Sequence, residues 1–121
     1  MPRLFLTCGD AALCETLRSS FQAQGFVVCG EARNGVQGIK KVMELLPDLV
    51  ILERGLSPLD GFEVAEVLKL ILPDVPLFLV AEHHDVETEK EALSHGIDAI
   101  FEKDHDFTSL VMNARAVCGL E

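Results

Sequence analysis

Five short apolar runs, each followed by an amphipathic segment of helical spacing, recur from one end of this 121-residue chain to the other. Nothing else in the sequence restricts the fold so tightly. The runs at 4–7, 26–30, 49–52, 77–80 and 99–101 are strand candidates. A helix between each pair of strands supplies the crossover that parallel pairing needs, and the connections are too short for much else. The run 49–52 is apolar and branched at every position, as a strand covered on both faces requires. The expected architecture is α/β: a (βα)5 doubly wound, five-stranded parallel sheet with helices on both faces.

The intervening segments carry helix signals. Asp10 stands where an N-cap belongs, and Leu13, Leu17 and Phe21 recur on one face before Gly25. After the Asn34-Gly35 turn, Val36, Ile39, Met43 and Leu46 line one face of a second helix that Pro47 stops. The third helix is expected over 62–72, where Leu70 and Leu72 exceed the needs of one buried stripe. The fourth, 86–95, is rich in glutamate and turns only Val86, Ala92 and Leu93 inward. The fifth, 106–119, has a stripe of Phe107, Leu110, Val111, Ala114 and Val117.

Composition removes several function classes. Twenty acidic residues against ten basic ones give a formal charge of −10, a field that repels nucleic-acid backbones. No run approaches membrane-spanning length, and the first residues lack a charged n-region and a cleavage site. A cytoplasmic domain that binds neither nucleic acid by itself nor membrane is therefore expected. Cys8, Cys14, Cys29 and Cys118 form no CxxC and no paired spacing, so they read as unpaired, mostly buried small side chains rather than a zinc site. His83 and His84, with Glu82 and Asp85, read as a solvated loop.

In doubly wound sheets chemistry gathers at the carboxyl ends of the strands, where strand order reverses. That directs attention to residues 7–10, Glu53 and Arg54, 81–84 and 102–104. Several landmarks accompany these positions: Pro47-Asp48-Leu49-Val50 followed by Asp60-Gly61, the segment Gly30-Glu31-Ala32-Arg33-Asn34-Gly35, and Gly96 followed by Lys103. In order and spacing they resemble the response-regulator receiver domain, the CheY-like branch of the flavodoxin-like folds, over essentially the whole chain.

The resemblance implies a chemistry whose parts each have a physical reason. Two carboxylates after the first strand hold Mg²⁺, an ion that demands oxygen ligands. An aspartate ending the third strand takes the phosphoryl group, and metal and lysine stabilise its charge. A hydroxyl after the fourth strand and an aromatic on the fifth read out the change. In this chain the acidic pair falls on Cys8 and Gly9, the acceptor on Glu53, the hydroxyl on Ala81 and the switch aromatic on Ile100. Lys103 alone is kept. Asp10 and Glu53 are the only carboxylates left to hold a metal, too few for Mg²⁺, and no cofactor is expected.

The reading is thus an atypical receiver domain spanning 1–121, alone or as the N-terminal part of a longer regulator. It is expected to be a non-enzymatic, phosphorylation-independent interaction module of two-component signalling or transcriptional control. Glu53 is expected to pair with Lys103. The resemblance places partners, an output domain or a second copy on the face made by the fourth helix, fifth strand and fifth helix. Two alternatives accompany it: a crevice sensor of a ligand, metal or redox signal acting through Cys8, and a residual phosphoacceptor.

Overall fold

The computed structural model describes residues 1–103 and 107–120. Strands β1 (Arg3–Thr7), β2 (Val27–Ala32), β3 (Leu49–Glu53), β4 (Leu77–Ala81) and β5 (Ala99–Glu102) alternate with helices α1 (Ala11–Gln22), α2 (Gly35–Leu45), α3 (Gly61–Ile71), α4 (Val86–Ser94) and α5 (Thr108–Val117). All strand pairs are parallel, in the order β2-β1-β3-β4-β5. The order reverses between β1 and β3, so the carboxyl ends of those two strands flank a crevice.

Two apolar layers cover the sheet. On one face Phe5, Val50, Leu52 and Leu79 meet Val42 of α2, Val64, Ala65 and Leu68 of α3, and Ala92 of α4. On the other, Leu4, Leu6, Ile51, Phe78 and Val80 meet Leu13, Leu17 and Phe21 of α1 and Leu110, Val111 and Ala114 of α5. All five residues of β3 and all five of β4 are buried. This is why their sequences lack the polar alternation of a one-sided sheet.

Asp10 caps α1, its carboxylate accepting from the Ala12 and Leu13 N–H groups. Asn34 caps α2, Asp85 caps α4, and Asp60 closes a reciprocal capping box with Glu63 on α3. Gly61 is required for a different reason. A Cβ there would stand 2.8 Å from the Glu53 carbonyl oxygen and 3.0 Å from Arg54 Cα, so only glycine lets α3 start against the end of β3.

Several expectations need correction. Helix α2 buries Gly35, Gly38 and Val42, whereas Val36, Met43 and Leu46 are exposed. Gly38 draws the helix onto β1, where an added Cβ would lie 2.8 Å from Thr7 Cγ2, and of the expected stripe Ile39 alone packs against the core. On α4 only Ala92 is buried; Val86 and Leu93 lie on the surface. Val117 is likewise exposed on α5, and the predicted start of that helix, Asp106, lies outside the described residues. Leu70 is 85% exposed, whereas Leu72 packs against the core. Among the described residues no helix is long and apolar enough to cross a membrane.

Candidate functional site: the Glu53 crevice

Glu53 is the last residue of β3 and one of two buried polar residues among those described, at 7% exposure. Its side chain crosses the reversal point from β3 to the loop after β1. There Oε1 accepts from the Gly9 N–H at 2.8 Å and the Asp10 N–H at 3.3 Å. On its other side Oε2 accepts from Lys103 Nζ at 2.5 Å. Both oxygens are thereby committed, each to a donor presented by a different strand end. Charge-assisted bonds of this kind are roughly twice as strong as neutral ones.

Lys103 follows β5, and its own N–H donates to the Ala81 carbonyl, which fixes the root of the side chain. The hydrogen bond to Glu53 holds the ammonium above the usual lysine range. Burial opposes the shift, while the charges of Glu53, Asp10 and Glu82 reinforce it. Asp10 Oδ2 stands 3.8 Å from Nζ, at the margin of ion pairing. The other carboxylate oxygen is occupied in capping α1.

Ala81 ends β4 and is 3% exposed, so it offers the crevice no hydroxyl. Ile100 is 7% exposed and belongs to the apolar layer with Leu79, Ala92 and Ile97. Its neighbour Phe101 turns to the opposite layer, against Phe78 at 5.4 Å between ring centroids. No aromatic therefore lies on the Ile100 side of β5. Arg54 turns away from Glu53: its guanidinium lies 4.8 Å over the Phe62 ring and reaches Glu91 at 3.4 Å. Phe62 in turn stacks on His95, whose Nδ1 is 2.6 Å from Glu66. This connection between α3 and α4 carried no sequence signal, because its members are spread over 42 positions.

Cys8 corrects the sequence reading twice. Continuing the alternation of β1, its side chain leaves the crevice and enters the layer under α1, at 1% exposure. It is also not a free thiol: Cys8 and Cys14 form a disulfide, their Cα atoms 6.0 Å apart. The six-residue separation spans the end of β1 and the first turn of α1, which returns the chain to the same layer. Cys29 and Cys118 are free and partly buried, and burial pushes both thiols above their ordinary pKa.

The residues present do not suit Mg²⁺. Gly9 has no side chain and Cys8 is sulfur turned into the core; Asp10 caps a helix and both Glu53 oxygens are taken. Among the described residues no group of three histidine, cysteine or carboxylate side chains is placed to hold any metal.

Strand order, alternation and crevice position define a class, and comparison with known proteins identifies it. Residues 9–115 match the response regulator receiver domain, and the chain belongs to that family. The transcriptional regulatory protein ZraR of Klebsiella oxytoca is 31% identical over 101 residues, covering 84% of this chain and 23% of that protein. The DNA-binding dual master transcriptional regulator RpaA of Synechocystis sp. is 24% identical over 119 residues, covering 97% and 49%. A two-component response regulator of the LuxR family from Aurantimonas sp. superposes with a TM-score of 0.92 at 19% identity, covering 98% of this chain and 86% of that one. The chain spans between 23% and 56% of the length of the curated relatives it matches.

Proposed function

We propose that this receiver domain works as a phosphorylation-independent protein–protein interaction module, with its crevice held in one state by Glu53. The observation that carries the proposal is the commitment of both Glu53 oxygens, one to the Gly9 and Asp10 N–H groups and the other to Lys103. In a phosphoryl-accepting site the lysine stabilises the charge of the transferring group. Here a side chain of the same protein already holds that lysine, and the loop after β1 holds the side chain. Ala81 and Ile100 remove the hydroxyl and the aromatic that would sense a change.

The names of the relatives support a place in transcriptional control, exercised through an output domain or a separate protein. The expected docking surface is the α4–β5–α5 face. It carries a groove of about 770 Å³ lined in part by Leu93, Ile97, Phe101, Leu110 and Asn113, and also by acidic Glu89 and Glu102. The crevice beside Glu53 is smaller, about 490 Å³. A basic partner or a second copy would meet this acidic lining, and salt would weaken a contact made through it.

Incubation with Mg²⁺ and acetyl phosphate, or with beryllofluoride, followed by intact mass and thermal shift, tests the reading. The expected result is an unchanged mass and an unchanged melting temperature. An acid-labile phosphoryl adduct on Glu53 or Asp10 would overturn it.

A further inference from the structure

The disulfide lies one residue from the groups that bind Glu53. Cys8 precedes Gly9, and its own N–H donates to the Ala32 carbonyl at 3.1 Å. Cys14 sits in the first turn of α1, its N–H donating to the Asp10 carbonyl at 3.0 Å. Between them, Gly9 and Asp10 point their N–H groups at Glu53, and the Asp10 carboxylate caps the helix. One short segment thus carries the sulfur bridge at its two ends and the Glu53 cradle in its middle.

We propose that Cys8 and Cys14 are a redox-modifiable pair whose oxidation state sets how firmly the Gly9–Asp10 loop holds the Glu53 carboxylate. The inference rests on the reading of the crevice as filled by Glu53. Oxidation requires a peroxide or a small disulfide. With hydrogen peroxide, one thiolate attacks a peroxide oxygen, giving a sulfenic acid and a hydroxide that the proton shed by the thiol converts to water; the second thiol displaces a second water and closes the S–S bond. With oxidised glutathione, one thiolate attacks a sulfur and expels a glutathione thiolate, and the second cysteine expels the other as the S–S bond closes. Reduction requires a dithiol or two molecules of a monothiol such as glutathione, which donate two electrons and two protons through a mixed disulfide. Both cysteines are essentially buried, at 1% and 0% exposure, so either reagent enters when the loop and the first turn of α1 open locally. With the bridge intact, that opening is limited by the covalent link. With two thiols, the loop is held by hydrogen bonds alone.

The test uses the full chain, equilibrated in buffers of graded reduced-to-oxidised glutathione, then acid-quenched, denatured and alkylated for mass analysis. Cys8 and Cys14 are expected to gain and lose their alkylation together across the series, while Cys29 and Cys118 are alkylated throughout. In parallel, amide exchange at Gly9 and Asp10 is expected to rise about tenfold on reduction through local opening, while Leu52 and Leu79 follow only the change in global stability. A bridge that survives every poise, thiols that never pair, or equal exchange at Gly9 and Asp10 in both forms would each overturn the proposal. Cys14→Ser is expected to show the fast exchange in either buffer. If that variant does not fold, the two redox forms of the native chain decide the matter. A phosphoryl adduct would sink the filled-crevice reading and leave the thiol titration standing, so the two failures are distinguishable.

Discussion

Replacing Glu53 by glutamine changes the crevice by a single atom and asks whether charge or shape holds it. The amide oxygen can keep the Gly9 and Asp10 N–H groups, but then its NH₂ faces Lys103 Nζ across a gap of 2.5 Å, donor against donor. Turning the amide over satisfies Lys103 and sets the NH₂ against the Gly9 N–H. In either orientation one buried donor is orphaned, at about 1–3 kcal/mol. The side chains of Glu53 and Lys103 are only 9% and 20% exposed, so water screens little of this. A loss near 2 kcal/mol corresponds to a melting point lower by about 8 °C in a domain of this size. The pH dependence has a fixed sign. Because Glu53 holds the Lys103 ammonium above its ordinary 10.5, the pair stabilises fully below that value and is lost as pH rises through the raised one. Urea unfolding of the native chain and Glu53→Gln, from neutral pH upward, should therefore give a constant gap that closes above about pH 10.5. A cycle adding Lys103→Met should return a coupling of about 1–3 kcal/mol. A neutral-pH gap under about 0.5 kcal/mol, or one that does not narrow in alkali, would refute the reasoning.

Three further outcomes follow from other parts of the fold. Gly38→Ala drives a methyl to 2.8 Å from Thr7 Cγ2 and should cost about 1–3 kcal/mol by denaturant midpoint; Gly55→Ala, with nothing within 4 Å, should be nearly neutral. Asp60→Ala removes the side-chain half of the α3 capping box and should cost about 1 kcal/mol in the same assay. Reducing the Cys8–Cys14 bridge, a sequence separation of 6, should lower stability by about 2 kcal/mol, and the double Cys8→Ser, Cys14→Ser variant should not respond to reductant.

The sheet was legible because hydrophobic runs and helix signals repeat in a strict alternation, and the cap at Asp10 was legible because it uses a side chain. The buried face of α2 was not. Its closest contacts are made through Gly35, against Val64 and Leu59, and Gly38, against Thr7 of β1, which have no side chain to mark them, so the larger Val36 and Met43 drew the stripe to the wrong side. The contact between Glu53 and Lys103 could be anticipated once the family's spacing located both residues. Its other half could not, since the Gly9 and Asp10 donors are backbone groups that any residue would carry. The bridge from Cys8 depended on where β1 ends and α1 begins, a boundary that shifts by a residue or two without altering the pattern of apolar positions.

A carboxylate built into the chain is a ligand with no free concentration. Tethered on β3, Glu53 faces the Lys103 ammonium and the Gly9 and Asp10 N–H groups at an effective concentration of at least millimolar order, whatever the medium contains. A dissolved anion that would use those same donors must compete with a carboxylate that never diffuses away.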